Sequence, residues 1–153
     1  MNRNTTMTLL LAVTLTAGGI GYGCGQPAGT QGVKTYAPPT ATPDATYTTR
    51  AVIVQLPEAG KPQTQLRCHH EAVDDFKNAQ GKVVGMSAMV MDFPPAKGVS
   101  LDGLKVGDKV LMTWSVWWEH TPNWLAMKIV KLPDDTVLEF RAKRPIAAEG
   151  TPK

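Results

Sequence analysis

The strongest constraint on the fold is the alternation of side chains in residues 108–118. Every second residue of this run is large and apolar. Because successive side chains of a β-strand point to opposite faces, the pattern predicts a strand with one face in a core. The apolar series is Val110, Met112, Trp114, Val116 and Trp118.

Four other short β-rich runs flank this one and are separated from it by turn signals. They cover residues 47–56, 63–73, 87–93 and 124–132. Pro and Gly residues lie between the runs, and no segment has a long helical period. Short strands in this arrangement predict an all-β fold, specifically a small five-stranded OB-like β-barrel.

The remaining residues are expected to form extensions of a barrel that spans residues 47–132. The chain has 153 residues and a net charge of +3, which fits one small domain and gives no strongly basic field for nucleic acid. Residues 1–23 predict an export signal, because Arg3 gives a weakly positive start and the apolar stretch that follows is too short to span a membrane. Residues 24–46, rich in Pro, Thr, Ala and Gly, predict a disordered tether, and residues 133–153 predict a frayed C-terminal tail.

Cys24 follows the predicted export signal directly and leaves two alternatives open. The pair Gly23-Cys24 is similar to a lipoprotein cleavage site, after which Cys24 would be the lipidated first residue, although Gly21 stands where a Leu-like residue is expected. The other alternative is ordinary cleavage nearby, with Cys24 as a spare thiol. Both alternatives predict a periplasmic or cell-envelope protein, anchored by lipid in the first case.

Methionines are concentrated in one of the predicted strands. Met89 and Met91 are two residues apart, so their side chains share a face of the strand, and a turn or bulge would bring Met86 alongside. Upstream, His70 stands next to Glu71 at the rim of the preceding strand. Thioethers with one imidazole form a soft, uncharged ligand set that suits Cu(I) or Ag(I). The alternative is that these methionines fill gaps in an apolar core.

Three motifs together resemble the CusF family of small periplasmic Cu(I)/Ag(I)-binding proteins, which fold as five-stranded OB-type barrels. The motifs are His70-Glu71-Ala72-Val73, Met86-Ser87-Ala88-Met89-Val90-Met91-Asp92-Phe93 and Leu104-Lys105-Val106-Gly107-Asp108-Lys109-Val110. The resemblance covers about residues 47–132. It implies a Cu(I) site, with Ag(I) as a surrogate, whose ligands are His70, Met89, Met91 and, as a third thioether, Met86.

The resemblance also implies a biological role. The protein would act as a monomeric metallochaperone in copper homeostasis or resistance. Its protein partner would be either a copper efflux pump or a copper-enzyme assembly protein, and membrane contact would occur only through a lipid anchor. No nucleic-acid partner is expected.

The sequence departs from the pattern of this family in two places. The best-known members carry a Trp three residues before the first Met of the pair, stacked over the metal, and here that position holds Met86. A tryptophan near the tip of the last hairpin is therefore a candidate for a cation–π contact, and the three candidates are Trp117, Trp118 and Trp124. In addition, residues 75–82 lengthen the connection between His70 and Met89.

Two neighbours of His70 have alternative roles. Cys68 shares the strand face of His70 and is either a small buried hydrophobe or a metal ligand. Glu71 points to the opposite face, and it either supports the site through contacts behind the ligands or closes a turn.

No enzyme motif accompanies these residues. The chain has no Gly-rich phosphate loop, no Gly-x-Ser-x-Gly and no Cys-x-x-Cys. We therefore expect a non-catalytic protein that buffers Cu(I) or hands it to a partner. The alternative function is a metal-free OB-type binding or interaction module on an exported lipoprotein.

Overall fold

The computed structural model describes residues 33–145, which form one antiparallel sheet of five strands. The sheet order is β3-β2-β1-β4-β5, so β1 is central and pairs with both β2 and β4. The strands are β1 (Ala45–Gln55), β2 (Arg67–His70), β3 (Met89–Asp92), β4 (Lys109–Val116) and β5 (Trp124–Lys131). The predicted all-β fold with five strands is confirmed.

The structure shortens the second strand relative to the prediction of 63–73. Residues 58–64 form a turn instead, in which the Lys61 N–H donates to the Glu58 carbonyl and the Thr64 N–H donates to the Lys61 carbonyl. The Thr64 hydroxyl also accepts the N–H of Glu58 at 2.7 Å. These local hydrogen bonds satisfy backbone groups that would otherwise pair with β1, so pairing begins only at Arg67.

The alternation that predicted β4 places its apolar side chains in the core. Val110, Met112, Trp114 and Val116 are all fully buried, whereas Leu111 on the opposite face is 37% exposed. Trp114 lies at the centre of an aromatic cluster, with ring centroids 4.8 Å from Tyr47, 5.6 Å from Phe93 and 6.0 Å from Phe76. Aromatic rings at these separations pack favourably beyond the area they bury.

The edges of the sheet approach one another without closing it into a continuous barrel. The chain leaves β3 through Pro94 and Pro95, and Pro95 forms a parallel bridge with Ala126 of β5. The Ala126 N–H donates to the Pro94 carbonyl at 2.9 Å, and the Ala96 N–H donates to the Ala126 carbonyl at 2.9 Å. Since Pro has no N–H to continue a ladder, the contact between the two edges stays short. The result is an OB-like, partly open barrel.

Part of the predicted tether packs against the sheet. The Tyr36 N–H donates to the Pro95 carbonyl, the Ala41 carbonyl accepts the Nε1–H of Trp117, and the Asp44 carboxylate accepts the N–H of Trp118. The globular part therefore begins before residue 47. The predicted export signal, Cys24 and residues 24–32 of the tether lie outside the described residues.

The C-terminal tail is fixed over much of its described length, residues 133–145. Its contacts reach residues far away in the sequence, among them Glu71, Asp74 and Ala88. The sequence predicts a frayed tail, whereas in the structure the described part of the tail makes fixed contacts. The prediction missed these contacts because the partners are distant in the sequence and a local pattern does not reveal them. Between residues 33 and 145 no helix is long and apolar enough to cross a membrane.

Candidate metal centre

The register of β2 against β3 brings the predicted ligands onto one face of the sheet. His70 lies directly opposite Met89, and Cys68 lies directly opposite Met91. Residues directly opposite each other on antiparallel strands point to the same face, so the imidazole and both thioethers share a face. This face continues the core, because Cys68 and His70 are both fully buried.

The imidazole of His70 is buried with one nitrogen engaged and the other unpartnered. Nδ1 lies 2.6 Å from the backbone carbonyl oxygen of Glu71. A carbonyl oxygen only accepts hydrogen bonds, so Nδ1 carries the proton and Nε2 of the neutral ring presents a lone pair. Nε2 is buried and has no hydrogen-bond partner among residues 33–145. Buried polar atoms are rarely left in this state, and an unpartnered acceptor of this kind is a good donor to a soft metal ion.

The environment of His70 favours the neutral form that a metal ligand requires. Burial lowers the pKa of His70 below its ordinary value of 6.5, the hydrogen bond to the Glu71 carbonyl opposes this shift, and the charge of His69 adds to it. Phe93, the aromatic residue that ends the methionine motif, meets the ring edge-on at a centroid distance of 5.8 Å. The hydrogen bond at Nδ1 and the edge contact with Phe93 therefore both fix the orientation of the His70 ring.

The predicted ligands form a gradient of exposure from the core to the solvent. His70 is fully buried, and Met91 is partly buried against the main core cluster. Met89 is 47% exposed, which is unusual for a core methionine. A side chain at this exposure contributes little to packing, so the gap-filling alternative is weaker for Met89 than for Met91.

Met86 joins the same hairpin through a separate pair of hydrogen bonds. The Val73 N–H donates to the Met86 carbonyl at 2.9 Å, and the Met86 N–H donates to the Val73 carbonyl at 2.8 Å. This pair keeps the register of β2 and β3, although the chain bends at residues 87–88. The Met86 side chain is partly buried against the main core cluster, to which Met91 also belongs.

The long connection between His70 and Met89 is a folded extension of the hairpin. Lys77 forms a bridge with Val83, and the Asn78 side chain accepts the N–H groups of Gln80 and Lys82. The predicted extra residues, 75–82, therefore lie beyond the Val73–Met86 pair. They leave the pairing of His70 with Met89 unchanged.

The backbone carbonyl of Glu71 contacts the His70 ring, while the Glu71 carboxylate binds groups from β1 and from the C-terminal tail. The carboxylate accepts two hydrogen bonds from the Arg50 guanidinium, at 2.7 and 2.9 Å. It also accepts the N–H of Glu139 at 2.6 Å. These contacts hold Glu71 in place, and its carbonyl in turn holds the His70 ring.

The three candidate tryptophans for a cation–π contact have separate packing partners. Trp117 is buried and donates its Nε1–H to the Ala41 carbonyl, and Trp118 packs edge-on against Phe76. Trp124 is partly buried and donates its Nε1–H to the Asp92 carbonyl at 2.9 Å. Trp124 is thus the candidate that contacts β3, next to Met91.

Cys68 is fully buried in the main core cluster, opposite Met91. Burial raises the pKa of the Cys68 thiol to about 12. A thiol with this pKa stays protonated at neutral pH in the metal-free protein and is not a reactive nucleophile.

We expect Cys68 in the native protein to resist alkylation at pH 8, and to react fully once urea unfolds the chain. Mass spectrometry of the peptide that contains Cys68 measures this. Cys68→Val is expected to keep Ag(I) affinity, because the two side chains have similar volumes. A loss of about tenfold in Ag(I) affinity, about 1.4 kcal/mol, would instead make Cys68 a ligand.

Sequence reasoning missed the residues that brace this hairpin from outside. They are Arg50, Asp74, Phe140 and Arg141. Adjacent carboxylates such as Asp74-Asp75 are usually solvated on a loop, yet Asp74 accepts two hydrogen bonds from Arg141 at 2.9 and 2.7 Å. The charge pattern alone carries no signal for such a pair, because its members are far apart in the chain.

Two further findings bear on the candidate site. In the part of the chain that the structure describes, no group of three or more His, Cys, Asp or Glu side chains is placed to hold a metal ion. Comparison of the chain with models of protein families, with curated proteins and with solved structures gave no match.

Proposed function

We propose that this protein binds one Cu(I) or Ag(I) ion through His70, Met89 and Met91, and that it buffers the metal or hands it to a partner. The observation that carries the proposal is the buried, unpartnered Nε2 of His70, on the same face of the sheet as two thioethers. Imidazole and thioether are donors that soft monovalent ions accept. Met86 is the third thioether of the set.

The arrangement favours transfer over catalysis. The His70 ring supplies one neutral nitrogen, and a thioether does not titrate, so the ligand set adds no charge to the ion. Met89 is half-exposed and gives an acceptor protein access to the edge of the site. Residues 1–23 predict an export signal. Export would place such a protein in the cell envelope, where copper efflux and copper-enzyme assembly take place.

Met-to-Leu substitutions test the thioethers because Leu preserves apolar volume and removes the sulfur. We expect Met89→Leu and Met91→Leu each to weaken Ag(I) binding by about tenfold or more, equivalent to about 1.4 kcal/mol, with a smaller loss for Met86→Leu. Competition titration with Ag(I) measures the affinity. Zn(II) should bind poorly to the wild type, since zinc prefers thiolate, imidazole and carboxylate donors.

The matched controls are Met112→Leu in the core and Met127→Leu in β5, which remove a thioether from elsewhere in the sheet. Both should bind Ag(I) as the wild type does. If Met89→Leu and Met91→Leu also bind Ag(I) with wild-type affinity, these methionines are packing residues. The protein would then be better described as a metal-free binding module.

A further inference from the structure

Residues 139–144 form an extended segment, called the C-terminal strap, that lies against the outside of the ligand-bearing hairpin. On the β2 side, Phe140 stacks on His69 with ring centroids 3.8 Å apart and planes at 9°. The N–H of Glu139 donates to the Glu71 carboxylate at 2.6 Å. His69 and Glu71 are the two sequence neighbours of His70, so the strap contacts the chain on both sides of the buried ligand.

The same strap holds the segment that leads into β3. The Arg141 carbonyl accepts the N–H of Ala88 at 2.9 Å, directly before Met89. The Lys143 N–H donates to the Ser87 hydroxyl at 3.1 Å, and its ammonium group donates to the Val84 carbonyl. These contacts cover the stretch that carries Met86.

Gly85 shows how closely the strap approaches this segment. Its φ is +62°, a left-handed conformation that favours glycine. A Cβ atom at this position would lie 3.0 Å from Cδ of Lys143 and 3.2 Å from the Asp74 carbonyl oxygen. Residues 84–88, which lead into β3 and carry Met86, are called the methionine segment. The backbone of this segment at Gly85 is therefore in direct contact with Lys143 of the strap.

Asp74 joins the strap to the turn of the hairpin. Besides the two hydrogen bonds from the Arg141 guanidinium, its carboxylate accepts the N–H of Arg144 at 2.8 Å. A bidentate Arg–carboxylate pair has a defined geometry, unlike a single surface ion pair. The strap is thus attached to β2, to the connection after β2 and to the residues directly before β3.

We propose that the C-terminal strap pre-organises the metal site by holding the His70 strand and the methionine segment in their bound positions. This inference rests on the proposed function. Without the strap the two ligand-bearing segments would have to be ordered by the metal itself, which lowers affinity. Linkage then requires the reciprocal effect, so that a bound ion stabilises the docked strap by the same factor.

Two substitutions in the full chain test the proposal. Phe140→Ala removes the stack on His69, and Arg141→Gln removes the bidentate pair with Asp74. We expect each to weaken Ag(I) binding about fivefold to tenfold, at the lower end of typical coupling between sites, with partial recovery in Arg141→Lys. The control is Val137→Ala, which truncates a 76% exposed side chain just outside the strap and should bind as the wild type does.

The reciprocal effect is measured by limited trypsin digestion, since the strap contains the cleavage sites Arg141 and Lys143. Ag(I) should slow cleavage within the strap of the wild type, and should slow it less in Phe140→Ala. Folding of each variant is checked by its urea midpoint, so that a general loss of structure is recognised.

Three outcomes would overturn the inference. Folded strap variants that bind Ag(I) with wild-type affinity would show that the strap has no part in the site. Wild-type protein that binds Ag(I) without any protection of the strap would contradict the linkage. Wild-type protein that fails to bind Ag(I) at all would refute the proposed function, and the coupling with it.

Discussion

Replacing His70 with Leu is expected to weaken Ag(I) binding by about 100-fold, or about 2.7 kcal/mol, without lowering the stability of the metal-free protein. The substitution removes the only nitrogen donor of the proposed ligand set. Stability should hold because two opposing effects are of similar size. The lost hydrogen bond to the Glu71 carbonyl costs about 1 kcal/mol, whereas removal of the buried, unpartnered Nε2 recovers about 1–3 kcal/mol.

This combination separates a ligand from a core histidine. Ag(I) competition titration gives the affinity, and urea unfolding of the metal-free protein gives the stability. His120→Leu is the matched control, because His120 is exposed in the turn between β4 and β5. A folded His70→Leu protein that binds Ag(I) like the wild type would remove His70 from the site.

Trp114→Ala is expected to lower the free energy of unfolding by about 3–5 kcal/mol, more than any of the ligand or strap substitutions. The side chain is fully buried, and truncation leaves a cavity among Tyr47, Phe76 and Phe93. Small domains have total stabilities of about 5–15 kcal/mol, so this change would remove a large share of the total. Chemical denaturation with urea, followed by circular dichroism, measures the difference.

Trp114→Phe provides the graded comparison. It keeps an aromatic ring in the cluster and removes a buried Nε1–H that has no partner in the described part of the chain, so it should cost much less than Trp114→Ala. Leu111→Ala, on the exposed face of the same strand, should cost less than about 1 kcal/mol. If Trp114→Ala were no more damaging than Leu111→Ala, the assignment of this face to the core would be wrong.

The fold could be predicted from sequence wherever a strand has one buried face. In β4, apolar residues occupy every second position over a long run, and the observed burial follows this alternation from Val110 to Trp114, after which Ser115 is buried as well. The predicted β2 begins too early because the Thr64 N–H donates to the Lys61 carbonyl in a turn and not to β1. Such competition depends on side-chain hydrogen bonds, which the apolar pattern does not reveal.

The placement of the candidate ligands could be predicted only in part. The two-residue spacing of Met89 and Met91, with His70 near the end of the preceding strand, correctly indicated a shared face once the two strands paired. The unpartnered nitrogen of His70 could not be foreseen, because it depends on burial and on the position of the Glu71 carbonyl. The strap contacts of Phe140 and Arg141 could not be foreseen either, since they join segments that are about 70 residues apart.

The central position of β1 has a consequence for the kinetics of folding. Its pairing with β4 joins Ala45 to Val116 and Val52 to Lys109, so a long chain segment must close before the middle of the sheet exists. Sheets dominated by such distant pairings fold in milliseconds to seconds. The hairpin of β2 and β3 needs no such closure. During this delay the imidazole of His70, which the finished sheet buries completely, is expected to remain accessible to solvent.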